Sequence, residues 1–478
     1  MAIPVPLLSP APQAPLAAAA LREFAQILSP ERLLLDPSER LAYGYDNSRR
    51  VALPQAVALA ESADEVKALV GVCHTHGIPL VARGRGTNTT GAAVPIAGGL
   101  VLSMERMNRI LRVSPGDRLL ECEAGALNSE AQAAARQHGL FWAPDPSSAG
   151  YSSIGGNLAC NAGGPHAVKY GSARDNVLGL HAISGDGREI QAGCYTTKGV
   201  VGYDLTRLIV GSEGTLALIT RAALKLLPLP QTQRLLRATY RDVAAATAAV
   251  ARLMAQPSTP SSLEFLDGEA TRLAQAYRDC GLSPEVGSLL LIEVDGAHDT
   301  IAAAVRAVSA AARGDGLIEL RAAASEAETE LLWAVRKALS PALRTLAPKK
   351  VNEDVAVPVT RLPELVEGVA ALSRTHAIRI VTFGHAGNGN LHVNLLADPD
   401  DPAQMAAITP CLDDVFRLVL SLEGTLSGEH GVGIEKRDYV AWEIPETTLA
   451  LMRELKRVFD PKGILNPGKA IPPAPQAS

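Results

Sequence analysis

The chain is poor in the residues that build metal clusters, disulfide frameworks and charged platforms. Its six cysteines in 478 residues, at positions 73, 122, 160, 194, 280 and 411, include no C-x-x-C pair and no cluster. That argues against an iron–sulfur site, a zinc ribbon and a disulfide scaffold. A basic excess is also missing: 45 Lys+Arg stand against 50 Asp+Glu, a formal charge of -5. Nucleic-acid binding, which calls for a concentrated basic face, is therefore not expected. No stretch offers the ~18 uncharged apolar residues of a membrane helix. With 47% hydrophobic residues, disorder is not expected either. The apolar start, MAIPVPLLSPAPQAPLAAAA, has no positive residue before Arg22 and carries Pro4, Pro6, Pro10, Pro12 and Pro15. It reads as a leader ahead of a helix near Leu16 to Leu28 rather than as an export signal. A cytoplasmic protein is the expectation, with peripheral contact at the inner face of the membrane left open.

What the chain has is length and glycine. Its length exceeds the usual single core and predicts two or more domains. Up to Leu119 short apolar strands alternate with helices, as in VALAE, the helical SADEVKALVGVCHTHG with Ser62 and Asp64 at capping positions, and IPLVARG. Strands follow in LVLSMERMNRILRV and DRLLECEAG, then a helix from Ala126 to His138. A boundary falls near Pro228 and Pro230. Beyond it, helices (VAAATAAVARLMAQ, AAAVRAVSAAARG, ETELLWAVRKALS) alternate with strands (SLEFLDG, SLLLIEVDG, VAVPV), the texture of a second α+β domain. Glycine returns in GTLSGEHGVGIEK, ahead of a helix from Thr448 to Val458.

Three glycine-rich segments suggest backbone held close to a ligand. VARGRGTNTTGAAVP runs from a strand into a loop with Gly84, Gly86 and Gly91; its amides suit a pyrophosphate, though a simple tight connection fits as well. It matches neither the dinucleotide fingerprint nor a P-loop. The stretch from Pro144 to Gly179 is long for a loop in a compact domain and reads as a segment ordered by wrapping a ligand. LIVGSEGTLALIT reads as strand, turn and strand, with Glu213 in the turn; an ordinary hairpin is the plain alternative.

The sharpest signal is IRIVTFGHAGNGNLHVNLL, two strands joined by Gly-Asn turn chemistry, which bring His385 near His392, with Asn394 on the face of His392. Two adjacent imidazoles make a partial metal site that needs a third ligand. In TLSGEHGVGIEK, Glu429 and His430 sit between glycines that let both side chains enter one cavity. The plain alternative is that each His caps a turn or bonds a carbonyl. His74 and His76 read as structural. In LLWAVRKALS, Trp333 and Arg336 lie on one helix face, so the ring would brace the guanidinium while its fork grips a carboxylate; a surface Arg is the competing reading.

Six motifs in order, PLVARGRGTNTTG, PDPSSAGYSSIGGNLACNAGG, VGSEGTLALIT, FGHAGNGNLHVNLL, SGEHGVGIEKR and FDPKGILNPGK, resemble those of the FAD-linked 2-hydroxy-acid dehydrogenases. These are the D-lactate, glycolate and D-2-hydroxyglutarate dehydrogenases of the vanillyl-alcohol-oxidase type. The resemblance spans about residues 40 to 472. It implies an α+β fold with a two-subdomain FAD-binding domain and an α+β cap. The division it implies is 1–39 as leader and helix, 40–229 as FAD domain, 230–422 as cap and 423–478 as a segment returning to the FAD domain.

The resemblance also implies roles. Arg83, Gly84, Arg85, Gly86, Thr87, Asn88 and Gly91 match the pyrophosphate loop; Pro144, Asp145, Ser148, Gly155, Gly156, Asn157, Asn161 and Gly163 match flavin-lining segments. Glu213, Gly214 and Ile219 match the adenine and ribose side, and Asn466 belongs to the same cofactor set. Relatives with covalent flavin often carry a His in the first loop, where this chain has Arg, Gly, Thr and Asn, so FAD is expected to be non-covalent. His385, His392 and Glu429 match ligands of a divalent metal, Zn or Mn, and His430 matches the catalytic base. Arg336, Asn394 and Lys350 would meet the substrate. Lys349 and Lys350 precede the NEDVAVP segment, near which relatives specific for a second carboxylate place a Lys, so the choice of 2-hydroxy acid stays open. Lacking clustered cysteine, the chain would pass electrons to an external quinone, electron-transfer flavoprotein, cytochrome or iron–sulfur subunit. Homodimerisation is left open. The competing readings are a non-catalytic FAD-binding subunit, an oxidase using O₂ and a flavin-free metal hydrolase.

Overall fold

A computed structural model describes residues 15–277, 279–346 and 349–475; the proline-rich leader, residues 1–14, lies outside the described residues. Contacts divide the described residues into two units, one of segments 15–163, 171–229 and 429–475, the other of 164–170 and 230–428.

The first unit holds two main sheets. Leu33–Leu34 (β1), Ala56–Leu59 (β2), Leu80–Arg83 (β3) and Leu100–Ser103 (β4) form the first, in the order β1-β2-β4-β3, with β2 and β3 parallel to β4. A parallel pair needs a crossover, and the helix Ala63–His76 supplies it between β2 and β3. Its start is legible in sequence: the Ser62 hydroxyl accepts the Glu65 N–H at 3.2 Å, and Gly77 at φ 65° ends the last turn. The helix Ala18–Ile27 buries Phe24 in the same core.

Ile110–Ser114 (β5), Leu119–Glu123 (β6), the short Leu140–Phe141 (β7), Val177–Ser184 (β8), Glu189–Gly193 (β9) and Ala217–Lys225 (β10) follow. All but β7 form an antiparallel sheet, β5-β6-β10-β8-β9, and β7 pairs with Leu227–Pro228 (β11). The helix Asn128–Arg136 and buried Trp142 complete its core.

One expectation changes here. Leu208 and Ile209 of LIVGSEG are helical rather than strand: the helix Leu205–Ile209 starts from Asp204, whose carboxylate accepts the Arg207 N–H at 3.0 Å. That cap lies outside the motif, and a short apolar run alone does not distinguish strand from helix. The stretch from Pro144 to Gly179, expected to be an ordered segment rather than a plain loop, contains the helices Ile154–Ala159 and Ala167–Tyr170. The first is capped by Ser153, which lets a glycine-rich sequence hold a turn of helix.

The second unit is built on Thr232–Tyr240 (β12), Ser262–Leu266 (β13), Ser288–Gly296 (β14), Leu317–Ala322 (β15), Lys349–Ala356 (β16), Arg379–His385 (β17) and Asn390–Ala397 (β18). They form one antiparallel sheet in the order β15-β12-β14-β13-β17-β18-β16. The strand expected at VAVPV lies earlier, ending at Ala356, because Pro358 offers no N–H to the ladder. Helices Gly268–Tyr277 and Glu326–Leu346 pack their apolar sides with Leu266, Leu289, Leu291, Val381 and Phe383 of the sheet. Among the described residues no helix is long and apolar enough to cross a membrane.

Candidate functional site

In the first unit a cleft opens where β3 runs into its glycine loop. Its wall comprises residues 83–89, Ser148, Ser153, Gly155, Gly156, Asn157, Cys160, Gly163, Ser212, Glu213, Gly214 and Ile219, with Glu429 and His430 at one side. The close approach of backbone is forced. A Cβ on Gly84 would stand 2.3 Å from Ser153 Oγ, and one on Gly155 2.7 Å from Ala124 Cβ. Asn157 Nδ2, Thr89 Oγ1 and Ser212 Oγ are buried in this wall with no hydrogen-bond partner among the described residues. Buried donors without partners are unfavourable, and a ligand rich in phosphate, hydroxyl and ring acceptors satisfies them.

In the second unit β17 and β18 form the expected hairpin, with Phe383 opposite His392 and His385 opposite Asn390. Side chains two apart share a face, so His385, Phe383, His392 and Asn394 all stand on one side. Both imidazoles are buried, their ring centroids 5.3 Å apart and 82° inclined. Glu264 on β13 is the direct cross-strand partner of His385. Its Oε1 accepts the His385 Nδ1–H at 2.5 Å, and its Oε2 accepts the Arg336 Nε–H at 2.7 Å. Burial pushes the Glu264 carboxyl up, but the adjacent His385 and Arg336 outweigh it and hold the group well below the usual range. The Arg336 Cζ lies 4.7 Å from the Phe383 ring centroid, and Phe383 in turn leans on His392 at 5.6 Å. Two neighbouring imidazoles, one oriented by a carboxylate, are a donor set that suits a divalent cation.

Residues 229–470 match the C-terminal domain of FAD-linked oxidases and 54–193 match an FAD-binding domain. The chain belongs to the FAD-linked oxidase family, within the vanillyl-alcohol-oxidase flavoproteins. It is 36% identical over 448 residues to "Glycolate oxidase subunit GlcD" of Bacillus subtilis, covering 94% of this chain and 95% of that one. It is 31% identical to a D-lactate dehydrogenase of Anaerostipes hadrus, over 94% and 96% of the two chains. In fold it superposes on p-cresol methylhydroxylase with a TM-score of 0.77 at 14% identity, covering 95% of this chain and 96% of that one. The protein is an FAD-linked oxidoreductase.

This FAD-linked oxidase brings most of the expected cofactor residues to the cleft, but Gly91, Pro144, Asp145, Asn161 and Asn466 lie outside its lining. Several of these hold the wall. Asn466 Nδ2 donates to the carbonyls of Ala92 (3.0 Å) and Glu213 (2.7 Å), and Asn161 Oδ1 accepts the Arg174 N–H at 2.9 Å. Arg83 directs its guanidinium to the Tyr45 carbonyl at 2.6 Å, so its charge props the loop from behind. Glu213 borders the cleft, yet its carboxylate accepts the backbone N–H groups of Val432 and Gly433, just beyond His430. His430 is anchored by its carbonyl, which accepts from Asn88 Nδ2 at 3.0 Å.

In the second unit the ring that braces Arg336 is Phe383, not Trp333, which packs against the apolar cluster instead. Asn394 is fully buried; its Nδ2 donates to the Val381 carbonyl at 3.2 Å, and its Oδ1 has no partner among the described residues. Lys350 opposes Leu396, four residues along β18 from His392 and on the same face. Glu264 is a site residue that sequence reasoning missed. The available signal was an acidic residue amid the otherwise apolar strand SLEFL. Ser153, Cys160 and Ser212 were also missed in the cleft wall.

Proposed function

We propose that this flavoenzyme oxidises a D-2-hydroxy acid, of the D-lactate, glycolate or D-2-hydroxyglutarate class, to its 2-oxo acid. The observation that carries the reading is the buried His385–His392 pair tied through Glu264 to Arg336, a cation-binding group and an anion-binding group held together. The relatives it matches, a glycolate oxidase subunit and a D-lactate dehydrogenase, support it.

The cleft residues would hold FAD, which would supply a hydride acceptor for substrate C2, and His385, His392 and Glu429 would hold a divalent metal, Zn or Mn, which would supply a Lewis acid toward the substrate hydroxyl. His430 takes the hydroxyl proton. Arg336, with Nε engaged by Glu264, offers its two Nη groups to the carboxylate. Asn394 and Lys350 orient the remainder of the acid, and that positioning lowers the barrier to transfer. The two electrons would then pass to a separate acceptor, a quinone, electron-transfer flavoprotein, cytochrome or iron–sulfur subunit.

Non-covalent attachment fits the cleft wall. Burial pushes the Cys160 thiol up to about 12, so it stays protonated and a poor nucleophile toward the flavin. Acid precipitation should therefore release the yellow chromophore into the supernatant.

The decisive experiment is anaerobic bleaching of the flavin band by a panel of D- and L-2-hydroxy acids, with and without chelator. Bleaching by a D-acid that slows on chelation is the expected result. Failure of every 2-hydroxy acid to bleach overturns the substrate class, and indifference to chelator overturns the metal.

A further inference from the structure

Glu264 is 1% exposed in the middle of β13. A buried carboxylate is unfavourable unless each oxygen is matched by a donor. Here the two oxygens serve two different side chains: Oε1 holds His385 through Nδ1, and Oε2 holds Arg336 through Nε. Both bonds have consequences. An imidazole that carries its proton on Nδ1 keeps the lone pair on Nε2, the form able to ligate a metal. A guanidinium fixed at Nε and stacked on Phe383 keeps one orientation of its remaining fork.

A 2-hydroxy acid carries its hydroxyl and its carboxylate on adjacent carbons. The groups that receive them must therefore keep a fixed separation, and two side chains from β17 and the helix Glu326–Leu346 do not share that separation by themselves. We propose that Glu264 is a positioning residue that locks the ligating form of His385 and the carboxylate-gripping pose of Arg336 into one unit, matching the 1,2 spacing of the substrate. This rests on the function proposed above.

The test is Glu264→Gln in the flavin-loaded full-length enzyme. An amide has one acceptor and one donor group, so it cannot serve both His385 and Arg336. Metal-stripped protein titrated with Zn²⁺ alone should bind about 10–100-fold more weakly, the usual effect of losing a group that orients a ligand. KM for the best 2-hydroxy acid should rise roughly tenfold, equivalent to one lost charge-assisted bond. Discrimination against the matching 3-hydroxy acid should narrow, while the visible flavin spectrum and FAD content stay as in wild type.

A merely structural glutamate would move stability and FAD content but not that discrimination. E264Q that binds Zn²⁺ as tightly as wild type, with unchanged KM, overturns the proposal and leaves the metal reading intact. Wild-type protein that binds no Zn²⁺ overturns the metal reading itself. If E264Q does not fold, ¹⁵N NMR of histidine-labelled, metal-stripped wild type decides. His385 should carry its proton on Nδ1, and a proton on Nε2 refutes the proposal.

Discussion

The Glu213 carboxylate accepts the Val432 backbone N–H at 2.6 Å, and its second oxygen takes the next amide, Gly433, at 2.8 Å. The grip is close: a Cβ on Gly431, whose φ is 86°, would stand 2.4 Å from Glu213 Oε1. Glu213→Ala therefore strips two buried amides of their acceptor. The expected loss is about 1–3 kcal/mol of stability, read by thermal melting, with faster proteolysis in the segment 429–436. An unchanged cleavage pattern would show that the loop does not depend on Glu213.

Lys469 lies beside this network, its ammonium donating to Asn466 Oδ1 at 2.6 Å. Burial lowers its pKa to about 7, although Asp46 and Glu213 pull the other way. An unfolded lysine titrates near ~10.4. Between the two values the unfolded chain binds a proton that the folded chain has released, so this group makes stability rise with pH across that window. Lys469→Met should flatten the rise in melting temperature from pH 7 to 9. A variant with the wild-type slope would assign that rise to another group.

Two substitutions in the cleft wall should separate cofactor contact from wall packing. Asn157→Ala removes a buried Nδ2 that has no partner among the described residues. It should leave the apoprotein as stable as before while weakening FAD binding by about 2–13-fold, the equivalent of one hydrogen bond. Gly155→Ala places a methyl 2.9 Å from the Ala124 carbonyl oxygen. It should destabilise both forms by about 1–3 kcal/mol. FAD titration of the two apoproteins, followed by fluorescence, checks both; equal weakening with equal destabilisation would rule out a direct Asn157 contact.

His430→Asn retains size and polarity without a base. If His430 takes the substrate proton, kcat should fall about 10²–10⁴-fold with the FAD content unchanged. Stopped-flow flavin reduction is the measurement, and a fall confined to KM would make His430 a binding residue instead.

The site was legible in sequence wherever chemistry and spacing are local. Strand alternation placed Asn394 on the face of His392, the Gly-Asn run brought His385 near His392 in one hairpin, and Ser62 marked the start of a helix. Glycines 84 and 155 announced backbone packed too tightly for side chains. Misreadings came where the deciding residue lay outside the motif, as with Asp204, whose cap turns an apolar run into helix.

The sequence by itself determined which side chains carry chemistry and which face of its own strand each occupies, because those follow from a two-residue period and short turns. Only the tertiary structure decided their neighbours. Glu264 meets His385 across 121 residues of chain because β13 pairs with β17 in a sheet whose order is not the chain order. Phe383, a member of the apolar cluster against that sheet, braces Arg336, while Trp333 packs partly buried against the same cluster. Such a choice depends on the packing of the whole sheet, and no local pattern encodes it.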